Sequence, residues 1–149
     1  MPSILPEFHK RYPGIEVEVM TEAGNILVEA LRKGDIDFFF LPMWEQQKDL
    51  EQVKISEEEL VLVAAQGYLD DSFLLDAEHK VFDWNKIDQL PLITLQKGHS
   101  LRRSVEVLLK NKSLKPNIFM EIHSNMLACQ LAAKGLGVTI VPEITLKMM

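Results

Sequence analysis

Helix-like and strand-like segments alternate along this chain, and that alternation constrains its fold more than any other feature. Residues 4–12 repeat apolar side chains every three or four positions, as one face of a helix does. Residues 15–19 alternate apolar and acidic side chains, which predicts a half-buried strand. An amphipathic helix from Ile26 ends at a predicted cap, Gly34, and the apolar run 36–41 predicts a strand covered on both faces. Strands joined by helices imply a parallel sheet with right-handed crossovers.

The second half of the sequence repeats this alternation. Polar residues 43–59 predict a surface loop, residues 60–64 a buried strand, and residues 68–85 an irregular stretch. Strand, helix, strand, helix and strand patterns then follow at 92–95, 101–112, 118–122, 125–134 and 138–141. The sequence therefore predicts two α/β lobes that meet near residues 64–67. Because ligands of open α/β sheets bind beyond the carboxyl ends of the strands, a cleft between the lobes is the expected site.

Charge and composition argue against several classes of protein. The chain has 149 residues, with 16 Lys and Arg against 22 Asp and Glu, whereas DNA-binding domains usually carry an excess of basic residues. A single cysteine excludes an internal disulfide and suits a reducing compartment. The longest apolar runs fall far short of the ~20 residues that span a bilayer, and residues 1–3 do not resemble a signal peptide. We expect a soluble cytoplasmic protein.

Motifs for catalysis, metals and cofactors are not found in the sequence. Cys129 lies in an apolar helix pattern, where packing is the simplest role. The four histidines show no metal-ligand spacing, and residues 135–137 lack the third glycine of a dinucleotide fingerprint and lead into a strand. We therefore expect a protein that is not an enzyme and that carries no metal or cofactor.

Several short motifs, taken together and in this order, resemble the effector-binding domain of LysR-type transcription regulators. They are Leu5, Phe8 and Tyr12-Pro13; Leu27, Leu31 and Gly34-Asp35-Ile36-Asp37; Leu60-Val61-Leu62-Val63; Leu90-Pro91-Leu92-Ile93; Gly135-Leu136-Gly137-Val138; and Val141-Pro142. The resemblance implies a periplasmic-binding-protein-like fold, in which two α/β lobes joined by a hinge hold a small effector. It also implies a fold incomplete at both ends. The first lobe would cover residues 1–64, the second 65–142, and a return crossover would begin at 143–149.

Cleft contacts in the first lobe are expected at two places. The turn 21–25 follows a predicted strand and opens a helix, where backbone amides attract anions, so Gly24 and Asn25 are candidates. A plain capping turn is the alternative. The resemblance places Phe40 and Pro42 at the cleft floor. Core packing is the alternative for Phe40, and Pro42 supplies no charge.

Cleft contacts in the second lobe are expected on two loops. Thr94, His99, Ser100 and Arg103 surround the start of a helix, where hydroxyl, amide and guanidinium groups suit an acidic effector. The alternative is that Ser100 acts only as a helix cap and that Arg102 and Arg103 are both solvated. His123 and Ser124 open the next helix, and capping by Ser124 is the alternative there. Gly135 and Gly137 are expected to give their turn its backbone freedom.

The resemblance also implies how the protein works. It implies a homodimer through residues 2–20 and 101–122, and DNA binding only through an N-terminal winged helix-turn-helix domain that this sequence does not contain. Effector binding would change lobe closure, dimer geometry and then DNA binding. Two alternatives stay open: a fragment of a solute-binding protein, and an interaction module that pairs with a regulator without binding ligand.

Overall fold

Helices and strands alternate in the computed structural model, which describes residues 4–41 and 48–147. The α-helices and β-strands, in chain order, are α1 Ile4–Arg11, α2 Gly24–Lys33, β1 Leu60–Val63, β2 Leu74–Asp76, β3 Val81–Phe82, β4 Pro91–Leu95, α3 Ser100–Asn111, β5 Asn117–Ile122, α4 Asn125–Ala133, β6 Thr139–Pro142 and α5 Glu143–Lys147. Short 3₁₀ helices at Asp71–Phe73 and Trp84–Gln89 flank the β2–β3 hairpin. The described residues thus confirm the predicted α/β class.

Strand pairing is concentrated in the second half. β4 pairs in parallel with β5, and on its other side a parallel bridge joins Leu92 to Val138, just before β6 begins. β6 then pairs antiparallel with β1, with Leu62 opposite Ile140. The spatial order is therefore β5, β4, β6, β1, and the predicted parallel pairing through helical crossovers is confirmed for β4 and β5.

The apolar core lies on this sheet and its helices. Of the α3 residues that the sequence predicts to face inward, Val105 and Leu109 are buried and Leu108 is half-buried; Leu101 is buried as well. Cys129 on α4 is fully buried, as its apolar surroundings predict, and burial raises the pKa of its thiol. Described residues before β1 contribute only Leu27 and Ala30 to the buried apolar set. The second half is therefore the well-packed part of the described chain.

Two predicted strands are wrong. Residues 15–19 and 36–41 belong to no β-ladder among the described residues, and Phe38 leaves 70 % of its surface exposed. A strand needs a neighbouring backbone to satisfy its N–H and C=O groups, and no described segment pairs with either one. Alternation or an apolar run shows which side chains favour burial, but it does not supply the partner.

Glycines act in three ways at the element ends. Gly34 ends α2 in the left-handed conformation, and the N–H groups of Gly34 and Asp35 donate to Leu31 and Ala30, which confirms the predicted cap. Gly135 has the positive φ expected of its turn. Gly137 does not, and instead permits close approach, because a Cβ there would lie 2.4 Å from the Pro91 carbonyl oxygen.

Candidate ligand-binding cleft

A cleft of about 560 Å³ opens where the start of α2 faces the loop between β4 and α3. The first side is formed by residues 21–26, and the second by residues 96–100 together with His123. Its volume falls within the ~300–1,000 Å³ range of small-molecule sites. The ends of β4 and β5 thus meet the starts of α2 and α3 at one place, beyond the carboxyl ends of the strands, where ligands of open α/β sheets bind.

The start of α2 presents backbone N–H groups to the cleft. The first N–H groups of a helix have no partner inside the helix, and the N-cap residue, Ala23, makes no side-chain capping hydrogen bond. The first turn of α2 also contains no acidic side chain. Gly24 and Asn25, which line the cleft, therefore lie at the positive end of the helix dipole.

The start of α3 is the second helix terminus in the cleft, and His99 caps it. The His99 Nδ1 atom accepts a hydrogen bond from the Leu101 N–H at 3.2 Å. The expectation that Ser100 caps this helix is wrong, because Ser100 is already its first residue. Burial lowers the pKa of His99, which favours the neutral ring that this cap requires.

Lys97 and Glu22 are the basic and the acidic side chain among the residues that line the cleft. Their formal charges cancel, so the partial positive charges of the two helix starts remain. His123 adds an exposed ring that donates or accepts a hydrogen bond. The cleft thus combines hydrogen-bonding groups with a local positive potential, which suits a small anion.

Five of the ten predicted site residues line this cleft. They are Gly24, Asn25, His99, Ser100 and His123. Glu22 and Lys97 lie in the loops that the sequence singled out, although neither side chain was among the candidates. The sequence indicated only the loops in which Glu22 and Lys97 lie, because sequence alone does not show which way a loop side chain faces.

Four of the other predicted residues, all within the described part of the chain, lie elsewhere. Thr94 is buried in β4 and lines a second cavity of about 550 Å³, against α3. Arg103 is exposed on α3 and is not among the cleft residues. The Ser124 Oγ atom accepts a hydrogen bond from the Leu127 N–H at 3.3 Å, so Ser124 caps α4.

Phe40 also lies away from the cleft residues. It is 47 % exposed and makes an edge-to-face contact with Phe38, with ring centroids 5.5 Å apart. Pro42 lies outside the described residues. Arg102, expected to be solvated if it is not a ligand contact, is instead 5 % exposed and pairs with Glu106 and Glu121.

No helix within residues 4–41 and 48–147 combines the length and apolar character needed to cross a bilayer. In the same part of the chain, no three His, Cys, Asp or Glu side chains form a group that could hold a metal ion.

Known proteins resemble the chain over almost its whole length. The family model for the LysR substrate binding domain matches residues 1–148. The uncharacterised HTH-type transcriptional regulator YybE of Bacillus subtilis is 27 % identical over 144 residues, which cover 97 % of this chain and 47 % of that protein. The chain thus spans about half the length of the curated relatives it matches.

Solved structures share the fold. The regulatory domain of CcmR from Synechocystis PCC6803, in complex with 2-PG, aligns with a TM-score of 0.78 at 23 % identity and covers 97 % of this chain and 67 % of that one. The BenM effector binding domain with its effector benzoate aligns with a TM-score of 0.75 at 19 % identity, over 100 % of this chain and 66 % of the other. These alignments establish the periplasmic-binding-protein-like α/β fold.

Proposed function

The chain belongs to the LysR substrate-binding domain family, and on that premise we propose that its cleft binds a small anionic effector. One observation carries the proposal. The starts of α2 and α3 converge with Lys97 on a single cavity of about 560 Å³. Two helix starts without an acidic residue in the first turn attract negative charge, and the cavity is large enough for a small organic acid.

The neighbours support the same class of ligand. BenM binds benzoate, a carboxylate, in an effector-binding domain of the same fold. In this chain, a carboxylate between Gly24 and Ser100 would accept backbone N–H bonds from both helix starts. Lys97 adds charge, and the rings of His99 and His123 add hydrogen bonds that select among anions. Glu22 disfavours a ligand with a second negative charge on its own side of the cleft.

We place this cleft between two lobes, residues 1–64 and 65–142, with a return crossover starting at 143–149. An effector that contacts both lobes stabilises the closed arrangement, because only that arrangement supplies both sets of contacts. The domain would act in the bacterial cytoplasm as the sensor of a transcription regulator, without catalysis. DNA would be bound by an N-terminal domain outside this sequence.

We extend the proposal to a homodimer through residues 2–20 and 101–122. Both segments expose apolar side chains: Ile15, Val17 and Val19 in the first, and Ile118 and Phe119 in the second, each between 43 % and 56 % exposed. A pair of different patches on each copy suits a two-fold arrangement. Closure of the cleft would then alter the geometry of the dimer and of the DNA-binding domains attached to it.

A thermal-shift screen tests ligand binding, with benzoate, amino acids, sugars and inorganic phosphate as probes. A ligand that binds the folded state raises the melting temperature in a saturable way. We expect carboxylates to do so, and we expect His123→Ala and Ser100→Ala to abolish the shift. His79→Ala is the matched control, since His79 is exposed on the β2–β3 hairpin and pairs with Asp76. If no anion shifts the melting temperature, the effector proposal is wrong.

The exposed apolar residues also support a second candidate, an interaction module that pairs with a full regulator without binding ligand. Ile15, Val17 and Val19 are about half exposed, which favours a protein partner. A dimer that forms in sedimentation experiments while every probe leaves the melting temperature unchanged would favour this function. A ligand-dependent shift would favour the sensor.

A further inference from the structure

Arg102 lies outside the cleft lining, yet it binds the backbone from which the cleft loop begins. Its side chain is 5 % exposed. The Nη1 atom donates to the Leu95 carbonyl oxygen at 2.8 Å and to Glu121 Oε1 at 2.8 Å. The Nε atom donates to Glu106 Oε1 at 2.6 Å. One guanidinium therefore contacts the end of β4, the end of β5 and the middle of α3.

These contacts enclose the loop 96–99. Leu95 is the last residue of β4, and Arg102 lies in the first turn of α3, so the bond between them joins the two ends of the loop. Glu121 lies two residues before His123. The Gln96 N–H donates to the Ile122 carbonyl oxygen at 3.0 Å, beside the same strand ends. Arg102 therefore binds the strand ends from which both segments on the second side of the cleft begin.

We infer that Arg102 is a positioning residue, which holds the loop 96–100 and His123 in the geometry that faces the ligand. The inference rests on the proposed function only in taking the cleft as a ligand-binding site. Arg102 does not contact the ligand, and its effect passes through the Leu95 carbonyl and Glu121. The loop is then ordered before the ligand arrives, so less ordering remains to be done on binding.

Packing alone does not account for an arginine here. A buried ion pair is often replaced by apolar residues of similar volume without loss of stability, so a core position could hold methionine. Arginine adds a planar fork of donors, which reaches three acceptors in fixed directions. Burial lowers the pKa of Arg102, but hydrogen bonds to Glu121 and Glu106 more than offset this, so the group stays charged.

Amide hydrogen exchange measured on the ligand-free chain tests the inference. In Arg102→Met, we expect the Leu101 and His99 amides to exchange about tenfold faster or more, the size expected from losing a charge-assisted hydrogen bond. The buried Ile93 amide, bonded to Val138 at 2.8 Å, is the reference and should change much less. Lys110→Met, at the exposed end of the same helix, is the matched control and should leave all three amides unchanged.

NMR titration of the His99 ring adds a second measurement, the pKa of His99, which should not change if Arg102 served only to pack the core. Loss of the loop geometry would expose the His99 ring, and because burial is what lowers its pKa, the pKa should rise toward its ordinary value in Arg102→Met. Arg102→Lys keeps the positive charge but not the fork, so a rise there reports lost geometry rather than lost charge. Glu121→Gln should give a smaller change at the same amides, and it serves as the test if Arg102→Met does not fold.

The inference would be overturned if the exchange rates of the His99 and Leu101 amides in Arg102→Met were unchanged, or changed no more than the rate of the Ile93 amide. A His99 pKa that rises in Arg102→Met but not in Arg102→Lys would also overturn it. None of these measurements uses a ligand. A failed ligand screen would therefore refute the proposed function without touching this result, and the reverse also holds.

Discussion

Replacing Gly137 by alanine should destabilise the fold because of a single contact. The added Cβ would lie 2.4 Å from the Pro91 carbonyl oxygen, and contacts under 3.0 Å force a shift of the backbone. That oxygen also accepts the Val138 N–H at 2.9 Å, within the bridge between β4 and the start of β6. Overpacking costs about 1–3 kcal/mol and a weakened hydrogen bond about 1 kcal/mol. We expect Gly137→Ala to lose about 2–4 kcal/mol of unfolding free energy.

Urea unfolding followed by circular dichroism measures this loss as a lower midpoint with an unchanged slope. Gly14→Ala is the control, because a Cβ at Gly14 meets nothing within 4 Å and the backbone there has no positive φ. That variant should be neutral or stabilised by up to about 1 kcal/mol. If Gly137→Ala proved as stable as Gly14→Ala, the close approach of Gly137 to Pro91 in β4 would be wrong.

Three further predictions concern the helices. Ser124→Ala should cost about 1 kcal/mol in chemical unfolding, because the cap on the Leu127 N–H is lost; no change would refute the cap. Leu109→Ala should cost about 2–5 kcal/mol in the same assay, since Leu109 is 2 % exposed, and a loss under about 1 kcal/mol would refute its burial. His99 has a pKa below 6.5, so the unfolded chain takes up the proton first and stability falls as pH drops from 6.5 toward that lowered pKa. Thermal melts across pH should show this fall in the wild type and less of it in His99→Asn, which caps without titrating; equal profiles would contradict the lowering of the His99 pKa by burial.

Local patterns in the sequence predict most of the secondary structure where a residue's role depends on its neighbours along the chain. The apolar spacing in α3 and the glycine after α2 act within one or two turns, and both were read correctly. Strands depend on distant partners. The pattern at residues 15–19 is as regular as that of many real strands, but no described segment pairs with it.

The candidate site was predictable at the level of loops but not of atoms. Helix starts that follow predicted strands identified residues 21–25 and 96–100, and the structure brings both to one cleft, although the strand predicted before residues 21–25 does not form. The cap of α3 shows the limit. Ser100 is the better N-cap by residue preference, but the helix starts one position earlier than predicted, and His99 takes the role. Burial of Arg102 likewise depends on Glu121, 19 residues away, which no local pattern reveals.

The most direct test of the proposed effector cleft is an NMR titration of the isotope-labelled chain with benzoate, acetate and inorganic phosphate. The account predicts saturable shifts of the amides of Gly24, Asn25, Gly98 and His123, on both sides of one cleft. Shifts centred instead on the second cavity, near Leu109 and Ile118, would contradict it. No saturable shift with any of the three anions would also contradict it.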